Sequence, residues 1–295
     1  DPHCKRLYHV SAMGEYEQTK ERILNARHAY YSEISYADDK VGCLVSALEK
    51  NGLKDDTIIV ITSDHGEMLG ERGMWYKMSY FEWASRVPMI IRAPGRFSPR
   101  RVNQPVSLVD FLPTLTDIAC GGKPVEYADS IDGKSLFPLL NGEDEDEKAL
   151  VYGEILCEGA ISPIVMLRNG RYKYIYCDVD PEQLYDLDND PDEINNLAGQ
   201  KEYEELRKTF YDQVTKKWDT KVLREQIVAN QNRRRLVDRS MRKGRFTPWD
   251  FQPFEDASKK YMRNHLDLNA LERKARFPSP KIPEPDGRLG KRQEG

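Results

Sequence analysis

Between Glu15 and Lys50, apolar residues recur three and four apart. Ile23, Tyr30, Ile34, Ala37, Val41, Leu44 and Leu48 share one face at that spacing, which predicts a long amphipathic helix. Asn51-Gly52 supplies its stop. Residues 1–14 show no such period and are expected as a loop. After the helix the pattern changes. Ile58 to Ile61 is a short, unbroken β-branched run, which reads as a buried strand over Thr57 to Thr62. Residues 63–85 carry Gly66, Gly70 and Gly73 without a period and predict a long functional loop. Val87 to Ile91 reads as the next strand, closed by Pro94-Gly95. Ser107 and Asp110 have the spacing of a capping box for a helix ending near Gly121, with Pro113 implying a kink or a late start. Residues 122–148 read as loop, with an acidic run from Glu143 to Glu147.

From Leu150 the period is that of strands. Leu150 to Leu156, Ile161 to Leu167, Tyr172 to Tyr176 and Gln183 to Asp186 read as four, and Asn169-Gly170 is a two-residue hairpin signal. No helix fits between them, so this sheet is expected to be antiparallel. A helix over Tyr203 to Trp218 should pack on it.

Composition changes the picture at the far end. Of the 295 residues, 39% are hydrophobic and 32% charged, so part of the chain should be solvated or extended. The Pro-, Gly- and charge-rich stretch 277–295 is expected to be disordered. A net charge of −4 gives no reason to invoke nucleic acid, and no apolar run approaches a membrane span. The nine Lys and Arg residues of 221–245 fit a solvated basic helix or a subunit contact. Five scattered cysteines without CxxC spacing argue against a disulfide framework or a structural zinc site and favour a cytoplasmic protein.

The chemistry concentrates at the end of the first strand. There Asp64 offers a hard carboxylate and His65 an imidazole, two donors suited to a divalent cation. Open α/β sheets place ligands at such strand ends, and Gly66 permits a sharp turn. Lys77 follows thirteen positions after Asp64. A cation beside a lysine suits a doubly charged oxyanion. The competing readings are an Asx-turn with a surface histidine, and a solvated lysine.

The run SDHGEMLGERGMWYK (Ser63 to Lys77), then RVPMIIRAPGRF (Arg86 to Phe97), SLVDFLPTLTDIA (Ser107 to Ala119), GKSLFPLLNG (Gly133 to Gly142) and LYDLDNDPDEINNLA (Leu184 to Ala198) resembles the sulfatases of the alkaline-phosphatase-like superfamily. Within them, GEMLGERGMWYKMSYFEWAS and the segment Thr247 to Pro278 look like the choline-sulfatase group. The resemblance implies an α/β fold: an alkaline-phosphatase-like mixed sheet flanked by helices over 1–149, present in part. A smaller α+β domain with an antiparallel sheet follows over 150–220, then a basic helix and extension over 221–276.

It also implies a formylglycine- and metal-dependent hydrolysis of a sulfate monoester, choline sulfate to choline and sulfate. Asp64 and His65 would bind the metal, Lys77 would act on the sulfate, and Glu154 in GEIL would meet the quaternary ammonium, with Tyr152 and Glu158 as alternatives. One divalent cation is expected, Ca²⁺ or Mn²⁺; the imidazole favours a metal that accepts nitrogen. Histidine at 65 departs from the asparagine of many sulfatases. His3, His9, His28 and His265 are expected to be structural. The aromatic residues of the C-terminal extension imply a homo-oligomer. The family's Cys-x-Pro-x-Arg nucleophile motif is absent, as is a serine version, so the chain is expected to be a C-terminal part and inactive alone. A phosphonate or phosphate ester hydrolase, or a non-catalytic partner-binding chain, are the alternatives.

Overall fold

The structure, a computed structural model, describes residues 1–15, 17–156 and 159–244. Glu158, His265 and the extension from 245 onward lie outside these. Two compact units divide between Glu225 and Gln226.

The chain opens with a helix where the sequence suggested a loop. α1 (Pro2–Val10) is capped by the Asp1 side chain on the Cys4 N–H, and Pro2 occupies its first turn. Its length gives too few turns for a period to show, yet Leu7 is buried. α2 (Lys20–Lys50) begins at the Thr19 cap, five residues later than expected. Its apolar face is only grazed: Ile23 meets Gly70, whereas no residue of the helix is buried.

β1 (Ile59–Thr62) is next. The expected loop of 63–85 holds structure of its own. β2 (Met68–Leu69) and β3 (Trp75–Tyr76) form a hairpin, followed by α3 (Glu82–Ser85). Positive φ at Gly70, Arg72 and Gly73 turns that hairpin, a cost glycine largely removes. β4 (Met89–Arg92) pairs antiparallel with β1. Every strand pairing among the described residues is antiparallel.

α4 (Phe111–Cys120) follows a short turn capped as expected. The Asp110 carboxylate accepts the Ser107 N–H at 2.8 Å and, with its other oxygen, the Lys134 N–H at 2.8 Å. Pro113 falls in the first turn, where no intrahelical bond is lost, so the helix starts late rather than kinking. α5 (Phe137–Leu140) is one turn.

β5 (Leu150–Ile155), β6 (Ile164–Asn169), β7 (Tyr172–Tyr176) and β8 (Gln183–Asp186) make the four-stranded antiparallel sheet in sequential order. Alternation gives it two apolar faces. Val165, Leu167, Tyr174 and Leu184 pack under Phe210, Val214 and Trp218, which α6 (Glu204–Lys217) and its C-cap supply. On the other face Ile164, Met166 and Ile175 meet Leu7, Met68, Met74, Phe81 and Ala84. The sheet thus carries α1, the hairpin and α3 on its back. α7 (Thr220–Met241) is the predicted basic helix. The described part of the second unit is α7 from Gln226 onward and a turn to Gly244.

Candidate active site

Directly after β1 the chain folds on itself around Ser63, whose hydroxyl donates to the His65 carbonyl at 2.8 Å. Asp64 Oδ1 accepts the His65 N–H at 3.0 Å. His65 Nδ1 lies 2.8 Å from the Gly66 carbonyl. A carbonyl only accepts, so Nδ1 carries the hydrogen and Nε2 is turned outward. Nε2 then faces Asp64 Oδ2 at 3.5 Å. Two acceptors at that separation are reconciled either by a proton on Nε2 or by a metal cation held between them. Donors bound at right angles to one ion at about 2.1–2.4 Å stand roughly 3.0–3.4 Å apart, close to what is seen. Desolvation is the largest single influence on the Asp64 carboxyl and raises it, but a protonated His65, the backbone N–H groups and the Ser63 hydroxyl together hold it below its usual range. The pair therefore fits a divalent cation as two of its ligands. No group of three candidate ligands occurs among the described residues.

Gly66 and Glu67 dock this corner onto α3, donating their N–H groups to the Ala84 and Trp83 carbonyls at 2.8 Å each. A Cβ on Gly66 would fall 2.1 Å from the Trp83 carbonyl oxygen, so only glycine lets the two segments approach.

Lys77 follows β3 directly and is exposed. The register Met68↔Tyr76 and Leu69↔Trp75 sets Glu67 opposite Lys77. The Glu67 carboxyl is pushed up by burial, against the pull of Lys77 and His65. It therefore stands within electrostatic reach of both residues that the sequence singled out. Glu67 was missed in the sequence because the hairpin was read as loop. Its signal is the GERG turn between GEML and MWYK.

Glu154 stands on β5, apart from that corner. Its Oε1 accepts the Trp218 indole N–H at 2.5 Å, yet the residue remains exposed. Trp218 stands edge-on to Tyr152, with centroids 5.7 Å apart. The Lys217 ammonium lies 4.1 Å over the Tyr152 ring and 2.9 Å from Asp132 Oδ1. Gly153 takes the Tyr80 ring so closely that a Cβ there would meet it at 2.9 Å. Burial, and then the Glu154 charge, push the Tyr80 phenol up. Tyr80, three residues after Lys77, is the link between the Lys77 segment and Glu154. Neither it nor Trp218 carried a sequence signal: both are ordinary core-type aromatics until their neighbours are known.

Comparison with known proteins assigns the family. The chain belongs to the sulfatase family: it matches the family descriptions Sulfatase over residues 1–122, N-sulphoglucosamine sulphohydrolase, C-terminal, over 70–220, and Choline sulfatase enzyme C terminal over 225–277. Among relatives, it is 41% identical over 282 residues to the choline-sulfatase of Rhizobium meliloti (strain 1021), covering 94% of this chain and 54% of that protein. It is 37% identical over 201 residues to arylsulfatase K of Gallus gallus, covering 65% of this chain and 36% of that one. The fold is similar to the phosphonate monoester hydrolase of Agrobacterium radiobacter, with a TM-score of 0.60 and 29% identity over 67% of this chain and 42% of that one. The chain thus spans about half the length of the choline-sulfatase and about a third of the arylsulfatase.

Proposed function

We propose that the protein hydrolyses a sulfate monoester, choline sulfate to choline and sulfate, and that this chain supplies the C-terminal part of the site. The observation that carries the reading is the corner made by Asp64 Oδ2 and His65 Nε2, 3.5 Å apart, on the segment whose hairpin presents Lys77. Asp64 and His65 would hold one divalent cation, Ca²⁺ or Mn²⁺, which would supply charge neutralisation at the sulfate oxygens. Lys77 meets the sulfate and stabilises the charge that develops on the ester oxygen. Glu67, across from Lys77, keeps the ammonium directed. The nucleophile of sulfatases is a formylglycine, and none of the five cysteines here has the Cys-x-Pro-x-Arg context for it, so this chain contributes binding and charge rather than attack.

Glu154 selects the alcohol. A quaternary ammonium donates no N–H hydrogen bond and is held by charge and aromatic faces. Tyr152 and Trp218 share the Glu154 face of the sheet, and the Lys217 ammonium already lies over Tyr152. The choline-sulfatase relative and the choline-sulfatase C-terminal match at 225–277 support that choice. The aromatic residues Trp249, Phe251, Phe254 and Tyr261 of the charged C-terminal extension, which call for a surface to cover, motivate a homo-oligomer joined through it. The five cysteines, scattered, odd in number and without CxxC spacing, motivate placing the protein in the cytoplasm. Among the described residues no helix is long and apolar enough to cross a membrane. A second reading, phosphonate ester hydrolysis, is favoured by the likeness to the Agrobacterium enzyme.

Profiling the complete protein on choline sulfate, an aryl sulfate and an aryl phosphonate separates the readings; a preference for the phosphonate rejects ours. Glu154→Gln then tests the alcohol site. Removing a charge facing the ammonium should lower kcat/KM for choline sulfate about a hundredfold and leave the neutral aryl sulfate nearly unchanged. Equal losses on both substrates would make Glu154 a structural partner of Trp218.

A further inference from the structure

The stretch DPDEINNLA holds a glutamate that the chemistry above does not use. Glu193 is fully buried, with a positive φ of 56° that a non-glycine residue adopts at a cost. Its Oε1 pairs with the Lys173 ammonium, also fully buried, at 2.8 Å. Lys173 in turn pairs with Glu82 Oε1 at 2.7 Å and donates to the Tyr80 carbonyl at 2.7 Å. Glu193 Oε2 accepts the Glu82 N–H at 2.6 Å, at the start of α3. The Glu193 carbonyl accepts from the Arg72 guanidinium, which also stacks 4.3 Å over the Phe81 ring. Arg168 closes the network on Glu82 at 3.0 Å, so Lys173 and Arg168 pair with the carboxylates of Glu82 and Glu193 while Arg72 is spent on a carbonyl.

Stability alone does not explain these groups. Buried ion pairs are often matched or bettered by apolar residues of similar volume. Apolar side chains, however, would not bond the backbone at chosen points. Here the bonds reach both flanks of the Lys77 hairpin: Arg72 lies five residues before Lys77, and Tyr80 to Glu82 lie three to five after it. α3, which starts at Glu82, is also what receives the N–H groups of Gly66 and Glu67 beside His65.

We propose that Glu193, Lys173 and Glu82 form a positioning device that holds the Asp64–His65 corner and Lys77 in register with each other, through α3. The inference rests on the placement of Lys77 in the site. Glu193 and Lys173 are positioning residues and touch no substrate. The antiparallel sheet is then the anvil on which the site is set, which gives the DPDEINNLA stretch a purpose in catalysis.

The test uses the complete protein. Hydrogen exchange is measured for Glu193→Gln and for the paired apolar change Lys173→Met with Glu193→Leu. The amides of Gly66, Glu67, Glu82, Ala84 and Ser85 should exchange at least about tenfold faster, while those of β6 to β8 stay protected; this readout needs no turnover. In parallel, kcat should fall about tenfold to a hundredfold with KM little changed, the scale expected for a misplaced catalytic group. In a Lys77→Ala background the same changes should lower kcat little further. If the complete protein prefers a phosphate or phosphonate ester, the cycle is run on that ester. Should it turn over none of these, the function proposed above fails while exchange still decides the positioning role. Unchanged exchange at these five amides, or loosening of the whole sheet with them, overturns the proposal. So does a kcat loss that is fully additive with Lys77→Ala.

Discussion

His3 titrates from a buried position. Its Nε2–H donates to the Met78 carbonyl at 2.7 Å, and Nδ1 is buried without a partner. Burial lowers its pKa below the ordinary 6.5, against the opposing Met78 bond. The unfolded chain therefore takes up the proton first. The stability that the neutral ring contributes is complete above about pH 6.5 and is lost as pH falls towards the lowered value. Melting temperature followed from pH 7.5 to 5.5 should fall through that window. His3→Gln, which keeps a donor for Met78 and cannot titrate, should flatten that part of the curve. An unchanged slope would mean that other groups carry it.

Elements differ in what they ask of the same residue type. Gly66 sits where β1 leads into the hairpin, and a Cβ there would strike the Trp83 carbonyl oxygen at 2.1 Å. Gly42 lies in α2 with nothing within 4 Å of a Cβ. Gly66→Ala should cost about 1–3 kcal/mol by overpacking, and should loosen metal retention because His65 is adjacent. Gly42→Ala should stabilise by roughly 0.5–1 kcal/mol through helix propensity. Denaturant melts of the two variants should move in opposite directions. A Gly66→Ala protein with wild-type stability and metal content would mean that the corner and α3 separate freely.

For the whole molecule, the relevant observation is what stays uncovered. Ile34 and Leu44 on α2, Ile90 on β4 and Leu112 on α4 are all more than half exposed, although apolar residues at such positions ordinarily face a core. The described residues also lack a third metal ligand and a formylglycine motif. The 295-residue chain made by itself should therefore bind a hydrophobic dye and turn over neither choline sulfate nor an aryl sulfate above its own Lys77→Ala control. Turnover above that control would sink this expectation and the division of labour behind it.

Local signals were legible in the sequence. Ser107 and Asp110, the Asn169-Gly170 turn, the strands at 172–176 and 183–186 and the Asp64-His65 pair after a β-branched run all stand where their patterns placed them, because each depends on residues a few positions apart. Short or irregular pieces were not: α1 is too brief for a period, and the β2–β3 hairpin depends on positive φ rather than alternation. Pairings across long stretches of chain left no trace either. Glu193 with Glu82 and Arg72, and Glu154 with Trp218, join residues 64 to 121 positions apart. The residue types and local geometry of the site are thus properties of the sequence. Which buried charge grips which backbone, and which aromatic rings meet Glu154, the tertiary structure alone decided, because such partners are chosen by packing in three dimensions and not by spacing along the chain.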